Sequence, residues 1–503
     1  MKKLFLLFAF FGFLLTSCSD DDTPPATTTP PEPVPENFSA GSADFSNYVA
    51  LGNSLTAGFS DNALFVDGQT ASYPNMLATA FAEVGGGSFE IPFMADNLGG
   101  ATLGGNQILG NRLILSFASG SPAPVQVEGT GTTEISNVLS GPFNNMGVPG
   151  AKSFHLVAPG YGNVQGVPVG AANPYFARFA SEPNATILGD AVAQEPTFFS
   201  LWIGNNDILG YATSGGLGVD QTGNPDATTY GSNDITDPGL FEMIYTNLLG
   251  ALTANGAKGV VSNLPDVTSI PFFTTVPHNP IPLDEATAGF LNSASGYGAY
   301  NAGLTALQQG GAISAEELAR RTISFAPGEG NAVVIIDEDL TDLTSFNPAL
   351  INIRQATAED LLVFTSQTII GELADPNDPT SINGVSVPLA DNWVLTPEEQ
   401  TAVATALASY NTTIENLANQ FGLAFVDVNA ILNTVASTGI TLSDGSSLTG
   451  VYATGGSFSL DGIHPSPRGY GLLAGEFLKA IETTYDATLP DVEPLDFTGL
   501  YIK

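Results

Sequence analysis

The chain has a single cysteine, Cys18, and three histidines, His155, His278 and His464. One thiol closes no internal disulfide and builds no Cys-based zinc cluster, and three scattered imidazoles do not make a His-rich metal site. Cationic side chains are scarce: 12 Lys and Arg stand against 50 Asp and Glu, a net charge of −38 over 503 residues. Binding nucleic acid, or docking on anionic lipid through a basic face, requires clustered Lys and Arg, so the composition argues against both. No G-x-S-x-G elbow and no G-x-x-x-x-G-K-[ST] loop is present, which removes support for the α/β-hydrolase elbow and for a P-loop. Apolar residues nevertheless make up 43% of the chain, enough to bury a substantial core.

The N-terminus accounts for the lone thiol. Two lysines, Lys2 and Lys3, precede an apolar run from Leu4 to Leu15 and then Leu15-Thr16-Ser17-Cys18. That run is too short for a membrane span, which takes about 20 residues, and fits the apolar stretch of a secretion signal. Its ending resembles a bacterial lipobox, so residues 1–17 read as a lipoprotein signal peptide and Cys18 as the lipidated residue. Lipid chains on Cys18 would make the membrane its anchor. Removing 1–17 takes away Lys2 and Lys3 and no acid, leaving 10 − 50 = −40. Ser19-Asp20-Asp21-Asp22 resembles the acidic surface-export tag of Bacteroidota lipoproteins and implies an outer-membrane protein facing outward. Residues 23–36 (TPPATTTPPEPVPE) hold six prolines, and 18–44 reads as an extended tether.

The body, 45–486, alternates short apolar runs with helical patterns. Asn47–Leu51, Thr197–Ile203, Lys258–Ser262 and Leu423–Val428 read as buried strands. Tyr73–Val84 with Ser72 as N-cap, Asp237-Pro238 to Ala254, Thr396 to about Gln420, and Pro467–Tyr485 read as helices. Alternation of this kind predicts an α/β fold around a mostly parallel sheet. Gly-, Thr- and Asn-rich stretches near 85–143, 208–236 and 264–395 are too long for simple connections and read as insertions over one core. Within them Arg112–Phe117 and Val125–Ile135 look like a hairpin, and Ala332–Ile336 like a further strand. Residues 487–503 form a C-terminal tail.

Four motifs carry chemistry. They are Gly52-Asn53-Ser54-Leu55 at the end of the first strand, Asn145-Met146-Gly147-Val148-Pro149-Gly150-Ala151, Gly204-Asn205-Asn206-Asp207 after the Thr197–Ile203 strand, and Asp461-Gly462-Ile463-His464-Pro465 before the last helix. Reactive groups of open α/β sheets lie beyond the carboxyl ends of the strands, where Ser54 and Asn206 fall. Acyl transfer requires a nucleophile, a base, an acid to orient the base, and donors for an oxyanion. Ser54 suits the first role and His464 the second. Asp461, three residues before His464, suits the third. The N–H groups of Ser54 and Gly150 and the amide of Asn206 suit the oxyanion hole.

In order and spacing these four motifs resemble those of the SGNH (GDSL-like) hydrolases. The resemblance implies a three-layer α/β/α flavodoxin-like parallel sheet with large loop and β insertions. It implies Ser54 as nucleophile, Asp461 and His464 completing a triad, and Ser54, Gly150 and Asn206 as oxyanion donors; no cofactor and no metal is expected. About 25 motif residues carry it directly, and the insertions lie outside it. Asn53 stands where the family usually has Asp, a residue outside the triad.

Three functions follow. The first is a serine esterase or lipase acting on lipid or acyl esters, which the 31 Phe against two Trp favour, since acyl chains need only apolar walls. The second is a carbohydrate O-acetyl esterase. The third is a catalytically idle accessory lipoprotein whose partner is an outer-membrane protein. The strong negative charge favours neutral ester substrates over anionic ones. His155 and His278 read as ordinary hydrogen-bonded or loop histidines, and the acidic loops near Asp226–Asp237 and Asp375–Asp378 as solvated loops without Ca²⁺.

Overall fold

The computed structural model describes residues 37–503 apart from Ser119 and Ser121. Residues 1–17, read above as a signal peptide, Cys18, and most of the 18–44 stretch, read as a tether, lie outside the described residues. Phe38–Lys503 is one compact unit. No helix among the described residues is long and apolar enough to cross a membrane.

The elements that position the site follow in chain order. They are β1 (Tyr48–Gly52), α1 (Ser54–Ala57), α2 (Tyr73–Ala82), β2 (Asn145–Gly147), β3 (Phe198–Trp202), α3 (Asn206–Thr213), α4 (Pro238–Thr253), β4 (Lys258–Ser262), α5 (Pro397–Phe421), β5 (Ala424–Val426), α6 (Val428–Ser437) and α7 (Pro467–Tyr485). The five strands pair in parallel in the order β2-β1-β3-β4-β5. The order reverses direction between β1 and β3, the point where doubly wound sheets hold their ligands. Every residue of β1 and β3 is buried, so both faces of the sheet are covered, as the unbroken apolar runs require.

On one face Tyr73 of α2 stacks on Phe477 of α7 at 4.7 Å, and both pack on Trp202. Elsewhere Phe241 of α4 stacks on Tyr410 of α5 at 4.2 Å, and the Tyr410 hydroxyl donates to the Thr236 carbonyl. Asp237 caps α4 by accepting from the Leu240 N–H at 2.8 Å. At the start of α5, Glu399 accepts from the Thr396 N–H at 2.6 Å and from its hydroxyl at 2.9 Å.

Several local expectations need correction. Ser72 sits at the N-cap of α2 but makes no capping hydrogen bond, and its hydroxyl is buried without a partner. The 423–428 strand is shorter than its apolar run, because Asp427 accepts from the Ala430 N–H and starts α6. The 208–236 stretch begins inside α3. In the 85–143 insertion, Leu113–Ser116 pairs with Ala123–Gln126, and Leu115 also bridges to Ile502 of the C-terminal stretch. Thr133 and Glu134 pair instead with Ala101 and Thr102. The 264–395 insertion builds its own buried cluster around Leu304, Val333, Ile335 and Leu343, with helices at Glu285–Asn292, Gly298–Gln309 and Ala315–Arg321. The C-terminal stretch is packed: Thr488 bridges to Ser39, and the Tyr501 carbonyl accepts from the Leu115 N–H.

Candidate active site

The chain leaves β1 at Gly52 and turns directly into α1, whose first residue is Ser54. Asn53 makes that turn. Its Oδ1 caps α1 by accepting from the Leu55 N–H at 3.0 Å, and its Nδ2 donates to Asn205 Oδ1 at 3.0 Å. The wholly buried Asn53 thereby ties the β1 turn to the turn after β3. A carboxylate at 53 keeps the cap but has no proton to give Asn205, which must then present its own amide.

His464 lies on the loop before α7. Its Nε2 is 2.9 Å from Ser54 Oγ, and its Nδ1 is 2.9 Å from Asp461 Oδ2. Asp461 is surrounded by donors. Its Oδ1 accepts from the Ile463 N–H at 2.8 Å, the His464 N–H at 2.9 Å and the Ser459 hydroxyl at 3.1 Å; its Oδ2 also accepts from the Asn62 N–H at 2.9 Å. Burial alone would raise its carboxyl. The charge and ring N–H of His464, with these backbone donors, outweigh that and bring it down to about 2.

The oxyanion candidates sit on loops bonded to one another. β2 lies beside β1, with Gly147 opposite Gly52, and the Val148 N–H donates to the Gly52 carbonyl at 3.0 Å. Gly150 follows at φ +80°, left-handed backbone that L side chains rarely adopt. Asn206, the first residue of α3, donates its Nδ2 to the Ala151 carbonyl at 2.8 Å, which leaves the second amide hydrogen free. The buried Asp207 takes the Ser153 N–H at 2.8 Å and hydroxyl at 2.7 Å. Two consecutive residues of the Gly204–Asp207 motif thus fasten the loop that carries Gly150. Among the described residues neither the Ser54 N–H nor the Gly150 N–H has an acceptor within the protein.

Three residues that the motifs alone do not single out hold this frame. Asp61 and Asn62 both adopt left-handed backbone, at φ 50° and 63°. Asp61 accepts from the Leu460 N–H at 2.9 Å, and its own N–H donates to Ser459. Asn173 donates to the Pro149 carbonyl at 2.8 Å, on the same peptide unit as the Gly150 N–H. Burial, with the nearby Asp461 charge, raises the Asp61 carboxyl to about 7 against the opposing Leu460 N–H. The signal available in the sequence was Asp61-Asn62, residue types that tolerate left-handed turns.

Ser54, His464 and Asn206 line a cavity of about 90 Å³. Its walls are apolar, with Leu209 of α3, Val267 and Ile270 from the chain after β4, Leu432 and Val435 of α6, and Leu472 of α7. His155 stands outside this set. Its Nδ1 accepts from the Lys152 N–H at 3.0 Å and its ring stacks on Tyr161 at 4.3 Å, and burial lowers its imidazole to about 4. The acids of the two loops weighed for Ca²⁺ serve their own turns: Asp226 accepts from Thr228, Asp234 from Val219 and Gln221, Asp375 from Asn377 and Asp378 from Thr380.

No family model matches the chain, and no curated protein matches it. Among solved structures, it is similar to a mutant of an acetyl-xylooligosaccharide esterase from Geobacillus Stearmophilus. That likeness has 11% identity and TM-score 0.30, covering 88% of this chain and 96% of the other. It is also similar to an extracellular lipase from Streptomyces rimosus, with 12% identity and TM-score 0.29, covering 87% of this chain and 99% of the other.

Proposed function

We propose that the protein is an SGNH-type serine hydrolase that cleaves carboxylic esters of apolar acyl chains. The observation that carries the reading is the line Asp461–His464–Ser54, with two 2.9 Å contacts, whose Ser54 and His464 line an apolar cavity.

In this mechanism the ester carbonyl carbon sits beside Ser54 Oγ. His464 Nε2 accepts the hydroxyl proton as Oγ bonds to that carbon. Asp461 holds Nδ1–H and offsets the imidazolium charge. The carbonyl oxygen becomes an oxyanion that accepts from the Ser54 N–H, the Gly150 N–H and the free hydrogen of Asn206 Nδ2. As the intermediate collapses, the alkoxide leaves with the proton from His464. Water, deprotonated by His464, then attacks the acyl-Ser54 carbonyl, and the acid departs with Ser54 Oγ reprotonated.

The cavity separates the readings of the substrate. An acetyl group leaves the Leu209, Val267, Ile270, Leu432 and Val435 walls unused, whereas a longer alkyl chain covers them at roughly 0.8 kcal/mol per buried CH₂. A fatty or medium-chain ester fits better than an acetylated sugar. Lipidation at Cys18, and a place at the outer membrane facing outward, belong to the same proposal. They rest on the N-terminal sequence and would bring the site to lipid or acyl-ester substrates.

The test is hydrolysis of p-nitrophenyl esters from C2 to C16 by the parent and by Val435→Trp, which fills the cavity. Activity rising with chain length beyond C4, and a Val435→Trp profile shifted toward C2, supports the acyl-chain reading. A maximum at C2 that Val435→Trp leaves in place would sink it in favour of an acetyl esterase. No turnover of any ester would promote the accessory-protein reading.

A further inference from the structure

Outside the Ser54 cavity lies a group of carboxylates that the protein's own bonds leave uncompensated. Glu338, Asp391 and Glu399 each contribute a carboxylate oxygen to a set lying within 4.8 Å of one another. Two of them belong to the 264–395 insertion: Glu338 follows the strand Val334–Ile336, and Asp391 opens the turn Asp391–Trp393. Glu399 belongs to the first turn of α5, a helix of the main core. Asp337 and Asp360 nearby are neutralised. Arg320 and Arg354 hold Asp337, and Arg354 also holds Asp360. Among the described residues no Lys or Arg pairs with Glu338, Asp391 or Glu399.

A second observation is independent of the clustering. Glu399 is only 5% exposed, and its Oε2 alone is satisfied, by Thr396. Its Oε1 is buried without any hydrogen-bond partner, and so is Asp391 Oδ1. Gly216 closes over that orphan oxygen: a Cβ there would meet Glu399 Oε1 at 1.6 Å. A buried carboxylate oxygen without a donor is costly, and two beside a third acid are costlier.

A cation removes both deficits at once. The donors are all oxygens, which suit a hard divalent ion over zinc or copper. Oxygens each 2.3–2.6 Å from a Ca²⁺ lie at most about 5 Å apart, the spacing found here. We propose that Glu338, Asp391 and Glu399 bind one Ca²⁺ ion, which clasps the 264–395 insertion to the first turn of α5. Water completes the shell on the side of the exposed Glu338. The site is structural and does not depend on the hydrolase reading.

The experiment uses the full chain stripped with chelator and titrated with CaCl₂, by calorimetry and by thermal unfolding, alongside Glu338→Gln and Asp391→Asn. Glu338 is exposed, so its variant does not endanger the core. The expected result is one saturable site in the parent and a Tm about 3 °C or more higher at a hundredfold excess over Kd. Both responses should be lost in the two variants, with Glu338→Gln in chelator at least as stable as the stripped parent. No saturable heat together with equal Tm in calcium and chelator would overturn the proposal and mean that the carboxylates share protons. A calcium response that survives in both variants would place the ion elsewhere and overturn it too. Neither readout uses ester turnover, so this proposal and the catalytic one fail separately.

Discussion

Asn62 donates its backbone N–H to Asp461 Oδ2 at 2.9 Å, the same oxygen that faces His464 Nδ1, across 399 positions of sequence. A residue held at φ 63° therefore helps orient the Asp461 carboxylate from the Oδ2 side, while Ile463, His464 and Ser459 hold Oδ1. Asn62→Gly keeps that backbone and should leave kcat near the parent value. Asn62→Val strains it by about 1–2 kcal/mol and weakens a hydrogen bond to a charged group. It should lower kcat about tenfold or more with little change in KM. Steady-state kinetics on one ester decides it, and equal kcat in both variants would contradict the role.

Asp61 gives a pH signature in stability. Its folded carboxyl is raised to about 7 from an ordinary 3.8. The fold therefore prefers the protonated form. That contribution is full below about 3.9, declines as pH rises and is gone once pH passes the folded value near 7. Asp61→Asn keeps an acceptor for the Leu460 N–H and removes the titration. Urea unfolding at pH 8 should find the variant more stable by about 1–3 kcal/mol, with the gap closing by pH 4. A pH-independent difference would count against this account.

Asp461 titrates in the opposite sense. Its folded value near 2 lies below the unfolded one, so its contribution is present above about 3.9 and disappears as pH falls toward 2. In catalysis Asp461→Asn should cost roughly 10³–10⁴ in kcat through loss of the correct imidazole tautomer. Steady-state kinetics on one ester checks it, and a loss of less than tenfold in Asp461→Asn would remove Asp461 from that role.

Asn173 fixes the peptide unit whose N–H belongs to Gly150, through its 2.8 Å bond to the Pro149 carbonyl. In the proposed mechanism it is a positioning residue. Asn173→Ala should lower kcat about tenfold while KM holds, since the loss falls on the oxyanion and not on substrate binding. Asn173→Asp cannot donate to that carbonyl and should behave alike. A change confined to KM would show that the bond serves only the pocket wall.

The sequence makes some of these elements plain and hides others for physical reasons. Tyr48–Gly52, Phe198–Trp202 and Lys258–Ser262 are strands buried on both faces, so their apolar runs stand out, and Pro467 at the first turn of α7 marks its start. Ser54, Asn206, Asp461 and His464 are legible because each sits in a short motif beyond a strand or before a helix. β2 is only Asn-Met-Gly, too short and too polar to show as a strand. α6 is masked because the apolar run of β5 continues into it through Asp427. The helix Ala315–Arg321 did carry a signal, since Ser314 accepts from the Glu317 N–H in an S-x-x-E pattern, but it lies inside a Gly-rich stretch that reads as loop. Asp61, Asn62 and Asn173 act through tertiary contacts that no local pattern encodes.

The central claim is that Ser54 is a nucleophile activated by His464. It is tested most directly by treating the parent and Ser54→Ala with a p-nitrophenyl alkylphosphonate and measuring intact and peptide masses alongside ester turnover. The account predicts one adduct per chain, on the peptide holding Ser54, with turnover lost in step, and neither adduct nor turnover in Ser54→Ala. An adduct on another residue, or ester turnover that persists in Ser54→Ala, would contradict it.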